Sequence, residues 1–139
     1  MNGGTLPPDV ALTTSRPDLV VIDRSCTPQQ VTLAELTMTW DTTANMDNAR
    51  NRKEARYEFL TEDIQQNGFK CNNLPFEIGV RGYISKRNRE TIMFLSHTCN
   101  VRNPKYLMKM LGKLALLGSY QIYLARNSQS WSSGGLLKA

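Results

Sequence analysis

Histidine occurs once in these 139 residues, at His97, and cysteine three times, at Cys26, Cys71 and Cys99. The cysteines are odd in number and far apart, and no CxxC pair exists. That argues against a zinc site and against a disulfide framework, and it fits a reducing, intracellular setting. Long apolar runs are also missing. None approaches the roughly 20 residues needed to span a bilayer, so no membrane partner is expected. The opening MNGGTLPPDVAL has no basic stretch followed by an apolar block, so no secretory signal is expected there.

Acidic residues are scarce in the second half. Residues 70–139 hold 11 Lys/Arg against only Glu77 and Glu90, a net +9. Residues 1–69 hold 6 Lys/Arg against 10 Asp/Glu, a net −4, which together give the overall +5. A basic half suits a polyanion, most simply nucleic acid. Hydrophobic residues make up 40% and charged residues 21%, the balance of a globular domain rather than a disordered chain. The length suits one domain with its own core.

Residues 1–15 show no periodicity and read as a flexible leader. Residues 127–139, NSQSWSSGGLLKA, read as a flexible tail. Between them, 16–126 forms the domain. Residues 18–22 and 31–40 are predicted strands from β-branched content and alternation. DTTAN at 41–45 offers several N-caps. Met46, Ala49, Lys53, Tyr57, Leu60 and Ile64 then recur along one face of a single predicted helix, with Gly68 as its stop. Leu74, Phe76, Ile78 and Val80 alternate in a third strand, whose N-terminal end Pro75 places at a sheet edge. Helical periodicity resumes from Ser85, and Pro104 opens a long apolar helix through Leu107, Leu111, Leu114, Leu117 and Ile122. The order strand, strand, helix, strand, helix, helix predicts an α/β or α+β sandwich.

Two carboxylates interrupt the hairpin. With its turn centred between Cys26 and Thr27, Val20 faces Leu33, Ile22 faces Val31, and Asp18 faces Glu35. All three pairs share one side of the sheet. Adjacent carboxylates repel unless a proton or cation lies between them, and oxygen donors at this spacing suit Mg²⁺ or Mn²⁺. A shifted register, or Asp18 at an exposed strand end, is the alternative. Lys53 lies in the apolar stripe of the following helix, flanked by Arg50, Arg52, Glu54 and Arg56 as surface charges. An inward lysine needs a partner, which the acid pair supplies, or else it snorkels to water. Tyr57, one turn later, can anchor the helix or donate its hydroxyl. Two carboxylates, an inward lysine and a basic half form a set suited to metal-assisted phosphodiester hydrolysis.

On these residues, Pro17-Asp18 opening the first strand and Glu35 in the second, the chain resembles the restriction-endonuclease-like nuclease superfamily, with its P-D…(D/E)-x-K signature. "RPDLVV…VTLAELTMTW…RKEARYEFL…LPFEIGVRGY" is more closely similar to the restriction-like endonuclease domain of non-LTR retrotransposon polyproteins, over roughly 16–125. The resemblance implies a three-layer α/β core, a small mixed sheet flanked by helices. It implies a Mg²⁺- or Mn²⁺-dependent DNA endonuclease with Asp18 and Glu35 as metal ligands. Lys53 would assist the attacking water and Tyr57 would position the helix. Arg16 belongs to the same motif. The lysine expected two residues after the acid is Thr37 here, so its role would pass to Lys53. DNA is the implied partner, in a nuclear or cytoplasmic location. The domain stands alone or is a piece of a larger reverse-transcriptase polyprotein.

Of the other residues, Glu77 alternates away from the apolar side of its strand and is expected on the surface. Arg16, Arg81, Lys86, Arg87 and Arg89 are candidate contacts to the nucleic-acid backbone. His97 is expected to be structural or exposed, and the cysteines to be small buried residues. Two further readings remain beside the nuclease. One is a catalytically decayed nucleic-acid-binding module on the same fold. The other is a protein-interaction domain that uses its C-terminal helices.

Overall fold

A computed structural model of the chain describes residues 6–126. The expected tail at 127–139 and the first five residues of the expected leader lie outside the described residues. The fold is mixed α/β. Strands β1 (Leu19–Asp23) and β2 (Gln30–Thr39) are followed by helices α1 (Thr43–Arg56) and α2 (Glu58–Gln66). Then come β3 (Lys70–Gly79), α3 (Lys86–Thr98) and α4 (Pro104–Ala125). The three strands form one sheet in the order β1-β2-β3, with β1 antiparallel and β3 parallel to β2.

The central strand organises both layers. From Val31 to Glu35 every residue of β2 is buried, as expected of a strand covered on both faces. Val31 and Leu33 point to one side, where they pack with Tyr57, Leu60 and Ile64 of the α1–α2 segment and with Val20 and Ile22 of β1. On the other side Leu36 joins Phe76, Ile78, Ile84, Ile92 and Ala115, beneath α3 and α4. Helices thus lie on both faces of a three-stranded sheet.

Local signals set the helix starts. Thr42 caps α1 by accepting from the Asn45 N–H, Ser85 caps α3 through the Asn88 N–H, and Asn103 caps α4 just before Pro104. Gly68, with φ +88°, lies just beyond the α2 C-cap and turns the chain towards β3. Gly82, with φ +86°, brings the loop after β3 against the backbone of α4. A Cβ on Gly112 would stand 2.9 Å from the Gly82 carbonyl oxygen.

Four expectations change. The stripe from Met46 to Ile64 is not one helix: it breaks at Tyr57, whose φ of −107° and ψ of 10° are not helical. Residues 6–11 are not a loose leader, because Leu6, Val10 and Ala11 are buried in the same cluster as Tyr57. The Asn67 side chain donates to the Val10 carbonyl, and Asp9 pairs with Arg24 at 2.8 Å. β3 is an edge strand, as Pro75 predicts, but it begins earlier, at Lys70, so Pro75 lies mid-strand rather than at its N-terminal end. Finally, the cysteines are not buried small residues. Cys99 is exposed, Cys26 and Cys71 are half-buried, and all three are free thiols.

Candidate active site

The register of β1 and β2 is the one that the turn position predicts: Val20 opposes Leu33 and Ile22 opposes Val31. Beyond the last ladder pair the two acids continue it with their side chains. The Asp18 N–H donates to Glu35 Oε2 at 2.9 Å. The Leu36 N–H donates to Asp18 Oδ2 at 3.0 Å. Each carboxylate therefore accepts a backbone hydrogen bond from the other's strand. Asp18 is exposed and Glu35 is buried.

Lys53 reaches down from α1 and places its Nζ 2.5 Å from Glu35 Oε1. Its side chain is 23% exposed, so the ammonium lies at the margin between the core and solvent. The Glu35 carboxyl titrates below the ordinary carboxylate range. Burial pushes it up, but the Lys53 ammonium and the Asp18 N–H favour the charged form and prevail. Tyr57 is fully buried, and its hydroxyl donates to the Arg16 carbonyl at 3.3 Å, fastening the helix break to the segment before β1. Burial, and then the negative charge of Glu35, raise the Tyr57 pKa, so the hydroxyl stays a donor. Four of the predicted site residues, Asp18, Glu35, Lys53 and Tyr57, are thus brought together, with the Arg16 backbone beside them.

The donor set fits a small hard cation. Mg²⁺ or Mn²⁺ takes one or two protein carboxylates and keeps several waters. Among the described residues no group of three or more His, Cys, Asp or Glu side chains is poised to hold a metal. Asp18 and Glu35 would supply the protein ligands, and water or substrate oxygens the rest.

A second acid–base cluster adjoins the first. Glu77, expected on the surface, is 1% exposed. Its side of β3 is covered by α1, so the face opposite the Phe76–Ile78 core is closed as well. Arg50, also expected on the surface, points inward. Its Nε lies 3.3 Å from Glu77 Oε1 without hydrogen-bond geometry, while its Nη2 donates to Glu77 Oε2 at 3.4 Å and to Asn88 Oδ1 at 3.0 Å. Asn88 also accepts from the Glu77 N–H and donates to the Glu77 carbonyl, so one side-chain amide does the work of a neighbouring strand on the β3 edge. Thr37 stands opposite Glu77 in the ladder, with a buried hydroxyl oxygen that has no partner.

Of the predicted nucleic-acid contacts, Arg16 is exposed just before β1, beside the acid pair, while Arg81, Lys86, Arg87 and Arg89 lie at the carboxyl end of β3 and the start of α3, next to this second cluster. Arg81 is exposed and pairs with Asp41 at 2.7 Å. Arg87 is shared between Asp47 at 2.9 Å and Glu77 at 3.5 Å. The Arg89 Nε donates to the Ile84 carbonyl, and Lys86 is exposed. Arg81, Arg87 and Arg89 are therefore partly committed to the fold. His97 is exposed, beside Phe94 and Thr98 in a cleft against β1.

No helix among the described residues is long and apolar enough to cross a membrane. In comparisons with protein-family models, curated proteins and solved structures, nothing matches this chain.

Proposed function

We propose that the chain is a divalent-metal-dependent DNA endonuclease domain on a restriction-endonuclease-like core. The single observation that carries this reading is the convergence of Asp18, Glu35 and Lys53 on one side of the sheet. Two carboxylates on adjacent strands and one ammonium from the covering helix are the groups that phosphodiester hydrolysis needs.

The chemistry supplied by the ion, when bound, is neutralisation of phosphate charge and acidification of a water. The protein's own groups do the rest. Asp18 and Glu35 would hold the ion, and the lowered pKa of Glu35 keeps that carboxylate ionised near neutral pH. Lys53 carries donors that can orient the attacking water or meet the charge that builds on the phosphate. Tyr57 fixes the angle at which α1 presents Lys53, because its buried ring and hydroxyl tie the helix break to Arg16. Exposed Arg81 and Lys86 supply salt-sensitive contacts to the backbone of DNA. A retroelement setting and a nuclear or cytoplasmic location belong to the same proposal.

The test is nicking of supercoiled plasmid with Mg²⁺ or Mn²⁺, by the wild type and by Asp18→Asn. The expected outcome is metal-dependent nicking that falls at least about a hundredfold in the variant, the loss of about 2.7 kcal/mol of transition-state stabilisation. Activity unchanged by the substitution or by chelator would sink the reading. A second reading, DNA binding without cleavage, is favoured by Thr37 standing in the place of the motif lysine. It predicts salt-sensitive DNA binding, indifferent to chelator, and no nicking.

A further inference from the structure

The geometry points to Lys53 as a built-in substitute for the metal ion, one that must leave Glu35 before the ion can bind. This rests on the nuclease reading of the site and adds a control device to it.

The oxygens of the acid pair are unequally occupied. Glu35 Oε2 accepts the Asp18 N–H, and Asp18 Oδ2 accepts the Leu36 N–H. Those two bonds face the strand backbones. Two oxygens remain to meet a cation, Asp18 Oδ1 and Glu35 Oε1. Among the described residues Asp18 Oδ1 has no partner, and Glu35 Oε1 is taken by the Lys53 ammonium. The lysine therefore occupies the oxygen that Glu35 would otherwise offer to a cation.

An internal counter-ion solves a folding problem. Glu35 is buried, and a buried carboxylate left without a positive partner is strongly destabilising. Without metal, Lys53 neutralises Glu35. Arriving metal competes with the ammonium for the same oxygen and is repelled by its charge. Displaced from Glu35, the ammonium is free to turn to the phosphate. Lys53 is long, flexible and 23% exposed, so it can swing without unpacking the core. Loading the ion and releasing the lysine towards substrate become one event.

The experiment is calorimetric titration of Mn²⁺, without DNA, into the wild type and Lys53→Gln, with circular dichroism to follow folding. Removal of the competitor is expected to tighten Mn²⁺ binding at least about tenfold, while nicking is lost. If Lys53→Gln folds only when Mn²⁺ is present, the ion has replaced the ammonium, and the inference stands. Equal or weaker Mn²⁺ binding in the variant, with binding intact in the wild type, overturns the inference and leaves the nuclease reading untouched. A variant that stays unfolded with and without Mn²⁺ also overturns it. Absence of Mn²⁺ binding in both proteins removes the nuclease reading and this inference with it.

Discussion

Glu35 is the residue on which stability and chemistry meet. Its folded pKa is lowered, so the unfolded chain takes up the proton first as the solution is acidified. The stability that Glu35 contributes is therefore fully present above the ordinary glutamate value of about 4.3. It is lost as pH falls through the lower folded value. Melting temperature followed from pH 7 to pH 3 should drop more steeply for the wild type than for Glu35→Gln, which has no proton to gain. Parallel curves would show that the carboxylate is not held charged by the fold. This residue was legible in the sequence because strand pairing has a period of two. Once the turn is located, Val20–Leu33 and Ile22–Val31 bring Asp18 and Glu35 along on the same side. Glu77 and Arg50 were not legible in the same way. Alternation tells which residues share a face, but not whether that face is covered. Here α1 covers it, and Arg50 and Glu77 neutralise each other beneath the helix.

At the scale of elements, the edge strand β3 depends on one side chain from α3. Asn88 is completely buried and bonds both the N–H and the carbonyl of Glu77, while its Oδ1 also receives Arg50. Asn88→Ala leaves a buried donor and a buried acceptor without partners, at a cost of about 2–4 kcal/mol. Urea denaturation checks this: the midpoint should fall with an unchanged slope. The start of α3 was readable from Ser85 and the following periodicity, but the bond that ties it to β3 spans 11 residues of sequence and has no local signature. The break between α1 and α2 was hidden for a related reason. The apolar spacing continues through it without a fault, and Tyr57 leaves the helical region because its ring is buried in the core and its hydroxyl reaches Arg16.

For the molecule as a whole, the docking of α4 rests on two glycines. Gly82 and Gly112 bring two backbones together, and a Cβ on Gly82 would stand 2.6 Å from the Gly112 carbonyl oxygen. Gly82 also has positive φ. Gly82→Ala combines a backbone clash with left-handed strain, and should destabilise the fold by about 2–4 kcal/mol. Thermal unfolding measures the loss, and an unchanged melting temperature would show that α4 can shift at little cost. The sequence announced a long apolar helix at α4. Leu107, Met108, Leu111 and Ala115 meet the sheet, while Leu114 and Leu117 stay exposed, because the period of the helix turns them away from it. The stretch before the strands carries a different lesson. Leu6, Val10 and Ala11 belong to the cluster that immobilises Tyr57. A fragment excised at Arg16, where the recognisable motif begins, would keep every proposed catalytic group and lose part of the packing that aims Lys53. The smallest autonomous unit is thus longer than the motif, and trimming the chain to the motif would imitate a catalytic lesion without touching a catalytic residue.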